Sequence, residues 1–191
     1  MRYFDNVLTG VNVGPLRHQL SRHPELWNAD RFRTDYPNTA HVDVDDILIR
    51  FSDTSMAGKD TIVMGDGLPV IWHPAAAVLT EVKPLVMGLM ALVNGYTLER
   101  CLISRIRPGG QILRHRDAAG EYVNQGSLAR YHIVVQGLPG SLFICGEGED
   151  DETVNMQTGD VWSFNAHAEH QVVNNSRDDR IHLMADVRIW E

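Results

Sequence analysis

A chain of 191 residues, 43% hydrophobic and 22% charged, can bury one sizeable core and has the composition of an ordinary globular protein. Its formal net charge of −8 disfavours attachment to a nucleic-acid backbone or an anionic membrane, though it leaves room for a local basic pocket. Two cysteines, Cys101 and Cys145, make neither a disulfide framework nor a thiolate zinc site, so a reducing, cytoplasmic setting is expected.

At the start of the chain, Met1 to Asn6 carries no apolar signal segment. Val13, Leu16 and Leu20 recur at helical spacing and Pro24 stops the run, which predicts a short helix over 13–23. Residues 25–36 are mixed and polar, with Trp27 and Phe32 as anchors. Arg31, Arg33 and His41 lie close by, either on a solvated loop or facing a substrate. Residues 46–51 read as a strand, and the Gly-, Ser-, Asp- and Thr-rich stretch 52–67 as a loop or lid. His73-Pro74 predicts a helix entry, with a dense apolar helix over 75–93 that Pro84 kinks or splits and Gly95 closes. Its most apolar part, 84–93, is far shorter than the roughly 20 residues needed to span a bilayer.

From Leu98 the texture changes. Short β-rich runs are expected at 100–106, 111–115, 130–135, 141–144, 153–156, 161–164, 171–174 and 180–189. They are separated by turn signals such as Pro108-Gly109-Gly110, Pro139-Gly140 and Thr158-Gly159-Asp160. An acidic hairpin tip falls at 146–152 and a second lid candidate at 118–128. The pattern predicts a mainly β protein, a double-stranded β-helix or jelly roll buttressed by N-terminal helices. It divides one domain into a helical or mixed support and substrate region, 1–97, and a β core, 98–191.

The chemistry gathers between Ser104 and Arg180. His115 and Asp117 point the same way on an extended segment, because side chains alternate along a strand. Taken alone they would serve as a surface ion pair. His170, at the start of a later strand, adds a third ligand. His167 competes with it, but their spacing is i, i+3 where a helical zinc pair needs i, i+4, so His167 reads as a loop residue near the site. Two His and one carboxylate suit iron(II), leaving positions open for a chelating cosubstrate and O2. Arg180 lies in an apolar strand with Ile181, Leu183 and Met184, and a buried cation needs a buried anion. That anion is either a dicarboxylate gripped by the planar fork or one of Asp178, Asp179 and Asp186. Arg130 and His132 share one strand face, and facing inward they make a second anion site.

On these residues the stretch Ser104 to Asp186 resembles the aspartyl/asparaginyl β-hydroxylase family, which includes free-proline hydroxylases. The resemblance rests on Ser104-x-Ile106-x-Pro108-Gly109, His115-x-Asp117, Arg130-x-His132, Gly159-Asp160 followed by Phe164, His170-x-Val172-x-Asn174, Arg180 and Asp186-Val187. It implies an Fe(II)- and 2-oxoglutarate-dependent dioxygenase that hydroxylates a C–H bond of an amino acid, free or in a peptide or protein. It also implies iron ligation by His115, Asp117 and His170, with Arg180 and Ser104 on the distal carboxylate of 2-oxoglutarate. Arg130 and His132 would contact the cosubstrate or the substrate carboxylate, for which Arg31, Arg33 and Arg50 are further candidates. Some family members carry Gly where this chain has Asp117, so a full triad is expected here and a halide-binding variant is disfavoured. No side chain beyond the metal centre is needed as a general base. Two other classes remain: a cupin-like metal enzyme without 2-oxoglutarate, in which Arg180 is idle, and a jelly-roll binding module whose His and Asp are incidental.

Overall fold

Alternation along strands builds this molecule, by sending every second side chain to the same side of a sheet. The computed structural model describes residues 1–35, 38–56, 68–117 and 128–190. Its strands are β1 (Phe4–Leu8), β2 (Val44–Ser52), β3 (Val70–Trp72), β4 (Gly95–Ile106), β5 (Gln111–His115), β6 (Leu128–Gln136), β7 (Ser141–Cys145), β8 (Glu152–Val154), β9 (Val161–Phe164), β10 (His170–Asn174) and β11 (Arg180–Ile189). They form a seven-stranded sheet, β1-β9-β6-β11-β4-β2-β3, and a four-stranded sheet, β5-β10-β7-β8. The mainly β, jelly-roll architecture expected from the sequence is what the chain adopts.

One side of the large sheet carries the apolar half of the alternation. Leu183, Ala185 and Val187 of β11, Cys101 and Ile103 of β4, and Tyr131, Ile133 and Val135 of β6 form a core with Ile47 and Ile49 of β2. Three helices cover that core: α1 (Gly14–Arg22), α2 (Ala75–Val78) and α3 (Val82–Leu92). Their buried side chains include Leu16, Leu20, Leu79, Val82, Val86 and Leu89. A second cluster, including Ile106, Ile112, Val134, Phe143, Met156 and Val172, includes side chains from both sheets. The other half of the large sheet's alternation, Arg100, Leu102 and Ser104 on β4, Arg130 and His132 on β6, and Arg180, Met184 and Asp186 on β11, lines a cavity.

Several local expectations are refined. The helix over 75–93 is two helices, and the break falls at Leu79–Glu81, ahead of Pro84. Pro84 sits in the first turn of α3, where its missing N–H breaks no helical hydrogen bond. Gly95 opens β4 after Asn94 turns the chain with φ 55°. A Cβ at Gly95 would meet Val187 Cγ1 at 2.5 Å, so only glycine allows that approach. Strands β1 and β3 were not anticipated. Both are sheet edges, and in β1 the Asp5-Asn6 pair hides the alternation. The N-terminal half therefore adds three strands to the large sheet besides its helices. Most of the two lid candidates, 57–67 and 118–127, lies outside the described residues. Among the described residues no helix is long and apolar enough to cross a membrane.

Candidate active site

The two histidines meet because their strands are neighbours. His115 ends β5 and His170 begins β10, and the two are register partners in the four-stranded sheet. Asp117 follows two residues after His115. The ligand atoms of the three lie within 4.8 Å of one another, which makes the group a candidate metal site. Asp117 Oδ1 is 3.7 Å from His115 Nε2 and 3.8 Å from His170 Nε2.

Each ring is held by its other nitrogen. His115 Nδ1 is 2.7 Å from the Leu113 carbonyl and His170 Nδ1 is 3.0 Å from that of Ala168. A carbonyl only accepts, so both Nδ1 atoms carry the proton and both Nε2 atoms offer a lone pair to the shared centre. Burial pushes the His170 pKa down to about 4, which keeps that lone pair free at neutral pH. Burial would raise the Asp117 carboxyl, but the Arg130 guanidinium and the neighbouring histidines outweigh it and hold the pKa below the ordinary value. Arg130 Nη1 donates to Asp117 Oδ2, while Oδ1 faces the histidines. Two imidazoles that turn Nε2 to a shared centre and one ionised carboxylate oxygen fit iron(II).

A second feature lies in the same cavity. Arg180 is buried and donates from Nη2 to His182 Nδ1 at 3.1 Å. Among the described residues no carboxylate pairs with it. Asp186, one of the internal partners considered, is taken by Arg130 in a two-pronged contact of 2.7 and 3.0 Å. Asp179 lies 3.8 Å from Arg105. Burial lowers the Arg180 pKa to about 9. Ser104 Oγ and His132 Nε2 are also buried; Ser104 lies against the Asp46 carboxylate of β2, whereas His132 Nε2 has no hydrogen-bond partner. A buried cation without a carboxylate among the described residues, with a hydroxyl beside it in the same cavity, presents the deficit that a carboxylate fills.

The cavity brings together His115, Asp117, His170, Ser104, Arg130, His132, Arg180 and Arg33. It does not include Arg31 or Arg50. Arg31, itself exposed, pairs with Asp35 at 2.7 Å. Arg50 donates to the Leu98 carbonyl at 2.8 Å and stacks on Trp72. Local sequence does not reveal these outward placements. Arg33 lies at the cavity wall, 3.1 Å from Asp46. Arg130, expected on the cosubstrate or substrate carboxylate, instead has its guanidinium occupied by Asp117 and Asp186. His167 is not among the lining residues; its carbonyl accepts from Arg116 at 3.3 Å.

Sequence reasoning passed over His182, although its spacing from Arg180 puts both on one strand face. Arg100 was readable in the same way from Ser104 and Leu102. His41, weighed with Arg31 and Arg33 as either solvated or substrate-facing, lines the cavity, its ring centroid 5.2 Å from that of His115. Leu102, Met184, Phe51 and Phe164 give the cavity apolar walls.

The sequence profile described as aspartyl/asparaginyl β-hydroxylase matches residues 73–189, well over half of the chain. No curated protein sequence matches it. Among solved structures, a prolyl-4-hydroxylase from Pseudomonas putida is similar over 100% of this chain and 95% of its own, at 12% identity and TM-score 0.56. A prolyl hydroxylase from Trichoplax adhaerens, solved with a hypoxia-inducible-factor peptide fragment, is similar over 97% and 82%, at 10% identity and TM-score 0.62. A 2-oxoglutarate–Fe(II) oxygenase family protein from Burkholderia pseudomallei is similar over 94% and 92%, at 15% identity and TM-score 0.55. At such identities these likenesses establish the fold. Fold, donor set and family profile together define an Fe(II)- and 2-oxoglutarate-dependent hydroxylase. The chain belongs to the aspartyl/asparaginyl β-hydroxylase family.

Proposed function

We propose that this protein hydroxylates a C–H bond of an amino acid, free or within a peptide or protein, with His115, Asp117 and His170 holding Fe(II). The observation that carries the reading is the pairing of that donor set with a buried Arg180 that has no carboxylate partner among the described residues. When bound, Fe(II) supplies the redox chemistry that couples decarboxylation of 2-oxoglutarate by O2 to C–H oxidation, giving succinate, CO2 and an alcohol.

The chain's own residues do the rest. Arg180 and Ser104 receive the distal carboxylate of 2-oxoglutarate, and His132 faces the same ligand. Arg130 divides its guanidinium between Asp186 and Asp117 and so aims one carboxylate oxygen at the metal position. Leu102, Met184 and Phe51 exclude water from the substrate side of the cavity. Arg33, neutralised in part by Asp46, is the substrate-carboxylate partner that remains of the four first considered. One domain carries the activity, with residues 98–191 as the catalytic core and 1–97 supplying support and the substrate wall. The cytoplasm is the proposed setting, and the peptide complex of the Trichoplax adhaerens enzyme lends support to a peptide or protein side chain as one form of substrate.

The test is an anaerobic titration of metal-free protein with Fe(II) and then 2-oxoglutarate, followed by visible absorption. A weak charge-transfer band needing both additions, and lost in Arg180→Ala or His170→Ala, is expected. Tight Fe(II) binding without the band would favour a cupin-like enzyme, and no Fe(II) binding at all would leave a binding module.

A further inference from the structure

Three buried side chains, two of which line the cavity, fix one another's protons. Arg180 and His182 lie two residues apart on β11, and His132 comes from the adjacent strand β6. Arg180 Nη2 is 3.1 Å from His182 Nδ1. A guanidinium only donates, so His182 Nδ1 accepts and the proton of neutral His182 sits on Nε2. His132 Nδ1 lies 3.2 Å from the same His182 Nδ1. Two lone pairs would repel at that distance, so His132 carries its proton on Nδ1. Its Nε2 therefore bears a lone pair, which is buried and unpartnered. The ligand proposed for this cavity, a dicarboxylate, also brings only acceptors.

We propose that cosubstrate binding takes up one proton from solvent on His132 Nε2, because His182 keeps the first proton of His132 on Nδ1. The proposal rests on the assignment of the Arg180 end as the cosubstrate site. The balance is simple: one proton leaves solvent, one N–H bond forms at Nε2, and no other bond changes. The resulting imidazolium donates from Nδ1 to His182 and from Nε2 to a carboxylate oxygen. His132 is then a binding residue and His182 a positioning residue that acts through it.

The surroundings set the direction. β11 contributes Arg180 and His182, β6 contributes Arg130, already engaged by Asp117 and Asp186, and β10 contributes His170. From β7 and β9 the rings of Phe143 and Phe164 pack on His132. Without ligand, burial first and then the charge of Arg180 hold His132 neutral, with a pKa well below the ordinary value. A bound dianion reverses the local field and favours the imidazolium.

Calorimetric titration of 2-oxoglutarate into the Mn(II)-loaded protein, in HEPES and in Tris near neutral pH, counts the protons. The buffer dependence of the heat should give uptake close to one proton, and affinity should fall about tenfold per unit of pH above neutrality. His132→Gln, whose amide donates without titrating, should bind with that uptake abolished. In His182→Leu nothing pins the His132 proton to Nδ1, so uptake should also fall while binding persists. Equal heats in both buffers with binding intact would overturn the coupling and leave the cosubstrate site standing. Uptake retained in His132→Gln would overturn the assignment to His132. Absence of any binding would remove the cosubstrate assignment itself, and the coupling with it.

Discussion

A buried arginine without a carboxylate raises the energy of the protein that carries it, since desolvation is not offset by an ion pair. Arg180 is in that position, with no carboxylate partner among the described residues. Arg180→Met should therefore raise the stability of the ligand-free protein by about 1–3 kcal/mol, read as a Tm increase of roughly 3–10 °C. The same change should weaken 2-oxoglutarate binding on the order of 100-fold or more. A variant that loses both stability and binding would contradict this view of the site. Arg130 is the opposite case, because it satisfies two carboxylates. Arg130→Met leaves Asp117 and Asp186 without their cation, so it should destabilise the fold by about 2–4 kcal/mol. It should also lower divalent-metal affinity on the order of 10–100-fold, measured by competition with a chromophoric chelator. The sequence pointed to both arginines as anion partners. Only the contacts separate the one that already has two carboxylates from the one that has none among the described residues.

At the scale of elements, the metal position depends on how β5, β10 and the tip after β7 are tied together. Arg114, next to His115, donates to Glu169, next to His170, at 2.8 Å. It also reaches both Asp151 carboxylate oxygens, at 2.8 and 2.9 Å, and the Gly146 carbonyl. One side chain thus clamps the backbone beside two ligands to the acidic tip. Each pair is partly exposed, so the effect on global stability should be small, within about 1 kcal/mol. Arg114→Ala should instead reduce metal affinity by about tenfold while the unfolding midpoint hardly moves. An unchanged metal affinity would show that strand pairing alone orients the rings. The strands β5, β9 and β11 were legible at their full extent because their alternation is clean and turn residues bound them. The acidic tip was legible as a hairpin, but its grip on Arg114 depends on sheet order and was not.

For the whole molecule, the contrast is between an acidic surface balance and a cavity where four arginines, Arg33, Arg100, Arg130 and Arg180, outnumber two carboxylates, Asp117 and Asp186. That arrangement concentrates small anions at the site without making the exterior basic. The fold also stores histidines in neutral form. Burial lowers the pKa of His41, His132 and His182 well below the ordinary value and that of His170 to about 4. The unfolded chain binds these protons near its ordinary histidine pKa and the folded chain does not. Stability therefore rises with pH across this window and is lost as pH falls from about 6.5 towards 4. The slope reaches about 1.4 kcal/mol per pH unit for each histidine. Urea unfolding of the metal-free protein at neutral and mildly acid pH should show a marked fall in midpoint. A flat profile would mean that these rings titrate freely in the folded state.

Sequence by itself determined the strand-rich second half and put forward His115, Asp117, His170 and Arg180 as candidate site residues. These follow from short-range rules: period-two alternation, turn residues that end strands, and the cost of a cation in an apolar run. The tertiary structure decided which arginines face the cavity, that Asp186 serves Arg130 rather than Arg180, and that His132 and His182 share a hydrogen bond across a separation of 50 residues. Those outcomes depend on β11 lying between β6 and β4. A strand's sequence specifies which residues share its face, while the neighbours that complete each polar group are set by the order of strands in the sheet.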